Sequence, residues 1–322
     1  MKIADILRLE VPQQWTLAKE MGIDYAVGRI NENKIEETAG SYELLKEMRD
    51  RFKEGGFKLK VIEPAPLNQK IKLGKPGRDE EIERMITLIK NMGKLGIEVL
   101  CYNFMAHFGW LRTRNDIPDR GGALVTGYNH SDIDQNKLTE DGIVTAEQLW
   151  DNLLYLQKAI VPAAEEAGIK LALHPDDPPV SSIQGISRIL ISPEAMERAC
   201  DLVKSPNMGI TLCQGTFQTM GADIVACIKK FGAQGRINFV HFRDTRGGAY
   251  DFKETFHDAG PTDMAQCIFE YKTVGFDGYI RVDHVPTLVG EENSMPGYAS
   301  LGRLYAAGYL KGLIEMSGKV SR

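Results

Sequence analysis

Eight times along this chain a short apolar run is followed by an amphipathic stretch at helical spacing, and few folds accept such a repeat. Ile3–Leu9 reads as a strand, and Val11–Met21, with Pro12 in its first turn and Gly22 behind it, reads as a helix. The pattern recurs with strand 24–30 and helix 41–54, stopped by Gly55-Gly56, then with strand 58–63 and helix 78–95, closing at Gly96. The fourth strand, 97–104, waits for its helix until 145–167. The last four units pair strand 170–174 with helix 193–203, 208–213 with 221–231, 237–243 with 262–273, and 278–284 with 300–317. Regular alternation predicts a parallel sheet, and eight repeats favour closure into an α/β (β/α)8 TIM barrel over an open sheet. No glycine-rich dinucleotide fingerprint follows the first strand, which counts further against the open form. The chain therefore reads as one barrel domain over residues 1–322, with residues 105–144 inserted as an active-site loop rich in polar and aromatic side chains.

A net charge of −5 creates no field for a polyanion, so nucleic acid is not an expected partner. No run approaches the ~18 apolar residues that span a bilayer, and Met1-Lys-Ile-Ala-Asp-Ile6 carries no signal-peptide apolar region. Five cysteines without close pairing suit a reducing compartment, and the expectation is a cytoplasmic protein without a membrane partner.

In a barrel of this kind chemistry sits at the carboxyl ends of the strands. The fifth strand delivers His174-Pro-Asp176-Asp177-Pro-Pro179, a histidine and two carboxylates where a core would have none. The sixth ends in Cys213, the seventh in His241 with Arg243 and Asp244 just beyond, and the eighth in Asp283-His284. Each is a metal-ligand type, and each lies about one βα repeat from the last. Taken singly, a strand-end histidine is an ordinary hydrogen-bonded residue and a lone cysteine an ordinary buried one. Taken together, His174, Cys213, His241 and Asp283 would converge on one mouth and suit Zn²⁺, Fe²⁺ or Mn²⁺, since carboxylate and thiolate pull the preference in opposite directions. Asp176 and Asp177, held among prolines, are better suited to shaping the loop or bonding the ligands from behind. Cys101, Cys200, Cys227 and Cys267 have no such company and read as packing residues.

Cys101-Tyr-Asn-Phe-Met105, Val161-Pro-Ala-Ala-Glu-Glu-Ala-Gly168, Leu171-Ala-Leu-His-Pro-Asp-Asp-Pro-Pro179, Thr211-Leu-Cys-Gln-Gly-Thr216, Val240-His-Phe-Arg-Asp244, Thr255-Phe-His257 and Gly297-Tyr-Ala-Ser-Leu-Gly-Arg303 occur in that order. Together they resemble the mannonate dehydratase family over roughly residues 58–317. The resemblance implies a xylose-isomerase-like barrel that uses Mn²⁺ or Fe²⁺ to convert the sugar acid D-mannonate to 2-keto-3-deoxy-D-gluconate and water in hexuronate breakdown. It implies His174, Cys213 and His241 as ligands, Asp283 as ligand or acid–base residue, and Tyr298 as a catalytic tyrosine. Asn103 and His257 fall at positions expected to touch substrate, and Arg243 joins them as a candidate. Asp283 or His284 would act as base and Tyr298 as acid in removing the C2 proton and the C3 hydroxyl. Homo-oligomerisation is an expectation of the resemblance alone. Met1–Ile30 does not show the family's polar loop motifs, the stretch after Trp110-Leu-Arg-Thr113 is shorter than in longer members, and the usual Arg-Pro-Asp-His-Gly reads Arg281-Val-Asp-His-Val285. The same metal-binding barrel also supports two other readings, a sugar or sugar-acid isomerase or epimerase and a non-catalytic sugar-acid-binding relative.

Overall fold

A computed structural model describes residues 1–9, 11–30, 40–65 and 69–319. In chain order its strands are β1 (Lys2–Ile6), β2 (Tyr25–Gly28), β3 (Lys58–Ile62), β4 (Val99–Asn103), β5 (Arg114–Pro118), β6 (Leu124–Asn129), β7 (Lys170–His174), β8 (Ser182–Ile183), β9 (Ile186–Ser187), β10 (Met208–Cys213), β11 (Ile237–Phe242), β12 (Thr245–Gly248), β13 (Asp251–Glu254) and β14 (Tyr279–Val282). The parallel strands close into a barrel in the order β1-β14-β11-β10-β7-β4-β3-β2. These are the eight strands read from the alternation. They are legible because a barrel strand is covered on both faces and so reads as a nearly continuous apolar run, as in β4 and β10, where every residue is buried.

The described helices are α1 (Pro12–Glu20), α2 (Tyr42–Glu54), α3 (Gln69–Leu73), α4 (Arg78–Leu95), α5 (Ala146–Ala167), α6 (Pro193–Asp201), α7 (Gln214–Thr219), α8 (Ile224–Ala233), α9 (Met264–Thr273) and α10 (Ser300–Lys319). Local sequence fixes their ends. In α5 the Thr145 side chain accepts from Gln148 N while the Gln148 side chain accepts from Thr145 N, a reciprocal cap, and Gly168 ends the helix at φ 70°. Two layers of core follow. Small and β-branched residues, Ala4, Val27, Val61, Val99, Cys101 and Ala172, fill the barrel with Phe239 and Tyr279, while larger residues such as Leu88, Leu153, Phe231 and Leu310 lie between strands and helices. Each fully buried large apolar side chain contributes about 1.5–3 kcal/mol. Cys200, Cys227 and Cys267 belong to this outer layer, and all five cysteines are free thiols.

Two parts of the fold carry no apolar signal. Within the inserted segment, β5 and β6 pair antiparallel, and β6 pairs with β13 of the β12–β13 hairpin, giving a four-stranded sheet in the order β12-β13-β6-β5 over the barrel mouth. Helix α7 starts directly after Cys213. Among the described residues no helix is long and apolar enough to cross a membrane.

Candidate metal centre

Barrel register brings the strand ends together. Asn103 pairs with His174 across β4 and β7, Cys213 with His241 across β10 and β11, and His241 with Arg281 across β11 and β14. One ligand atom from each of His174, Cys213 and His241 lies within 4.8 Å of the other two, and all three residues are buried. His174 Nδ1 is 2.7 Å from the carbonyl of Pro175, which can only accept, so that nitrogen carries the proton and Nε2 carries a lone pair. That Nε2 faces His241 Nδ1 at 3.2 Å. Burial alone would push the Cys213 thiol up, but the Arg243 guanidinium and a hydrogen bond with His241 outweigh it, and the net direction is downward. Two converging imidazole nitrogens beside a thiol drawn toward thiolate form a donor set that fits a divalent transition metal.

A second group, Glu63, Cys101 and His241, is equally close-set but does not fit one. Burial and then Glu63 push the Cys101 thiol well above its ordinary range, so it holds its proton and meets the hydroxyl of Thr211. Both oxygens of Glu63 accept from Arg281, Oε2 from Nε and Oε1 from Nη2, each at 2.9 Å. The third nitrogen of that guanidinium, Nη1, donates to Asp283 Oδ1 at 2.7 Å.

Asp283 stands beside the ligand trio rather than within it, with Oδ2 3.6 Å from His241 Nδ1 and 3.1 Å from Arg243 Nε. Burial would raise its carboxyl, but Arg281, His284, His241 and Arg243 hold it well below the usual carboxylate range. The hydroxyl of Tyr298 donates to Asp283 Oδ1 at 3.1 Å, and burial together with Asp283 pushes that phenol up, so it keeps its proton. The ring of His284 lies 5.3 Å from that of Tyr298. Its backbone is left-handed at φ 31°, and its Nδ1 is buried without a hydrogen-bond partner, 3.8 Å from Glu254 Oε1. Burial lowers its pKa.

Around this core runs a dry ionic frame that no local motif announces. Arg243 Nη1 donates to both oxygens of Glu254 at 2.8 and 2.9 Å, and Nη2 donates to Asp177 Oδ2 at 2.7 Å and to Thr216 Oγ1 at 2.9 Å. Arg112, from the inserted segment, forks onto the two oxygens of Asp177 at 2.8 and 2.9 Å and reaches Glu254 at 2.7 Å. Gly215 makes room for this frame, since a Cβ there would lie 2.5 Å from Arg243 Nη1. The two terminal nitrogens of Arg243 are thus committed to protein groups, Glu254, Asp177 and Thr216. Asp176 Oδ2 accepts from the backbone N–H groups of Ile189 and Leu190 and so shapes the loop. Asn103 Oδ1 accepts from the buried Lys72 at 3.1 Å and from Met105 N at 3.2 Å. His257 donates through Nε2 to the Phe242 carbonyl at 2.7 Å, leaving Nδ1 buried without a partner. Trp110, on the segment between β4 and α5, sets its ring edge-to-face against His174 with centroids 5.4 Å apart, so that segment reaches the site.

The sequence motifs do not single out Glu63, Lys72 or Glu254, and they show Arg112 only as one of the polar residues of the long segment after the fourth strand. Of these, Glu63 had a visible signal, a carboxylate at the carboxyl end of an apolar strand and directly before Pro64.

The family model described as D-mannonate dehydratase (UxuA) matches residues 17–143 and 135–322. A mannonate dehydratase of Streptococcus equi subsp. zooepidemicus is 36% identical over 300 residues, covering 85% of this chain and 82% of that protein. Mannonate dehydratase 2 of Halalkalibacterium halodurans is 37% identical over 295 residues, with 83% and 85% covered. The crystal structure of mannonate dehydratase from Streptococcus suis serotype 2 superposes with a TM-score of 0.92 at 34% identity, covering 100% of this chain and 96% of that one.

Proposed function

The chain belongs to the mannonate dehydratase family and is a hydro-lyase of sugar acids, and from that premise we propose that it converts D-mannonate to 2-keto-3-deoxy-D-gluconate and water. The cation would be Mn²⁺ or Fe²⁺, held by His174, Cys213 and His241 with Asp283 as the fourth donor. The observation that carries this reading is the 3.2 Å approach of His174 Nε2 to His241 Nδ1 beside a thiol drawn toward thiolate. When bound, such a cation supplies Lewis acidity at the substrate carboxylate and 2-hydroxyl, lowering the cost of charge developing at C2.

The chain's own groups account for the protons. Asp283 is held ionised by two guanidinium groups and is a weak acceptor, so we assign the C2 proton to His284, whose Nδ1 is buried without a hydrogen-bond partner. Tyr298 keeps its proton and has its hydroxyl aimed by Asp283, and it delivers that proton to the C3 hydroxyl, which leaves as water. The proton held on His284 then returns to the Tyr298 oxygen, and the enol left behind tautomerises to the 2-keto acid. Trp110 and the β12-β13-β6-β5 sheet limit water at the reacting carbons. Arg243 serves here as the clamp on Asp283 and Glu254, whereas Asn103 and His257 are left to face substrate. We also assign the protein to the cytoplasm, in keeping with its five free thiols.

Purified protein supplied with Mn²⁺ and D-mannonate is expected to form a 2-keto-3-deoxy acid, measured by the absorbance of its semicarbazone. Absence of that product from D-mannonate and from related aldonates would contradict the proposal.

A further inference from the structure

Glu63 lies at the carboxyl end of β3, is 3% exposed, and reaches across the barrel to β14 and β11. If it were only the partner of Arg281, its two 2.9 Å bonds to that guanidinium would complete its role. Yet its Oε1 also stands 3.0 Å from His241 Nε2, close enough for charge attraction although the angle makes no hydrogen bond, and this is not the ring nitrogen that faces His174. An imidazole has one proton to place when neutral, and a carboxylate behind one nitrogen attracts it there. Without a cation, His241 Nδ1 lies within hydrogen-bonding distance of the His174 Nε2 lone pair at 3.2 Å; once a cation takes the lone pairs of both atoms, the His241 proton belongs on Nε2, beside Glu63.

The same carboxylate governs a second line of contacts. Arg281, fixed at two nitrogens by Glu63, uses its third to hold Asp283 Oδ1, the atom that accepts the Tyr298 hydroxyl. Glu63 therefore touches both halves of the site, the nitrogen donor through His241 and the proton donor through Arg281 and Asp283.

We propose that Glu63 is a positioning residue that keeps the His241 proton on Nε2, turning the Nδ1 lone pair toward the ligand trio, and that through Arg281 it sets Asp283 under Tyr298. The inference rests on the reading of His174, Cys213 and His241 as the metal site. It differs from a ligand role for Glu63, because both carboxylate oxygens are already committed to Arg281 and the adjacent Cys101 keeps its proton.

Two readouts test it on the full-length chain. In wild-type protein labelled with ¹⁵N-histidine and loaded with diamagnetic Zn²⁺, the ring signals of His241, assigned by their loss in His241→Asn, should report a proton on Nε2. A proton on Nδ1 in the Zn²⁺-loaded protein would overturn the proposal before any substrate is added. Titration with Mn²⁺, followed by the electron spin resonance of the free ion, should then show Glu63→Gln binding 10- to 100-fold more weakly than wild type. Glu63→Asp, which restores the charge at a longer reach, should recover part of that loss. Wild-type affinity in Glu63→Gln with an unchanged His241 tautomer would overturn the role. Should Glu63→Gln not fold, as read by circular dichroism, the wild-type tautomer and the Glu63→Asp titration decide the matter, wild-type affinity in Glu63→Asp counting against it. A wild-type chain that binds Mn²⁺ but makes no keto acid would bear on the proposed reaction and leave this inference standing.

Discussion

The two ends of the barrel are built from the same eight strands and treat charge in opposite ways. At the amino ends, Lys60 and Glu98 pair at 2.6 Å with 23% and 47% of their side chains exposed, Lys170 reaches the Pro206 carbonyl, and a depression lined by Lys2, Glu98, Phe276 and Tyr279 opens to solvent. At the carboxyl ends, Arg243 and Asp177 pair at 2.7 Å with 1% of each exposed, and Arg281 meets Glu63 at 2.9 Å with 3% and 4% exposed. An exposed pair gains about 0–1 kcal/mol, while removing one partner of a buried pair costs about 3–5 kcal/mol because the other charge is left dry and uncompensated. Hence the open depression does not mark the chemistry. Several of the buried polar atoms without a hydrogen bond, His241 Nε2, Arg243 Nε, His257 Nδ1 and His284 Nδ1, gather instead at the crowded end.

The largest effect expected from that contrast follows removal of the ligand trio. Substituting Cys213 and His241 together by serine and alanine should strip the bound transition metal, read by elemental analysis, and abolish turnover. Metal retained at wild-type stoichiometry would place the cation elsewhere. Next comes Tyr298→Phe, which removes one hydroxyl and leaves the ring against His284; kcat should fall by about 10²- to 10⁴-fold with the thermal midpoint little changed. Wild-type turnover in that variant would remove Tyr298 from the proton path.

Stability should divide along the same axis. Arg243→Met should cost about 3–5 kcal/mol in urea denaturation, since Asp177, Glu254 and Asp283 lose a shared cation, and Lys60→Met at the other end about 1 kcal/mol or less. Equal losses at the two ends would erase the distinction drawn between them.

A smaller effect depends on pH. Burial brings His257 down to about 4, so between pH 6.5 and 4 the unfolded chain binds a proton that the folded chain refuses. Stability from this group is therefore fully present above about pH 6.5 and declines as the pH falls, by about 3 kcal/mol across the window. His257→Gln can still donate to the Phe242 carbonyl and should flatten that decline; an unchanged pH profile would show that the ring titrates as it does in water.

How much of this was readable in the chain depends on which force holds each part. Barrel strands are buried on both faces, so Lys170–His174 and Met208–Cys213 announce themselves as apolar runs, and the polar residue ending each run stands out as site chemistry. The sheet over the mouth is held by pairing rather than burial. Strand β5 is Arg-Asn-Asp-Ile-Pro with four of its five residues exposed, and β12 is half glycine, so neither shows alternation. The ionic frame was hidden for another reason. Glu63 and Arg281 lie 218 residues apart and Arg112 and Glu254 lie 142 apart, and nothing local to an arginine names the carboxylate it will meet across a barrel. Asn103 and Asp283 were visible as residues, but their partners Lys72 and Arg281 emerge only when the strands close.

The most direct test of the account is a crystal of the chain grown with Mn²⁺ and measured for anomalous scattering at the manganese edge. The account predicts one peak bounded by His174 Nε2, Cys213 Sγ and His241 Nδ1. A peak among Glu63, Cys101 and His241 Nε2 instead, or none near His241, would contradict it.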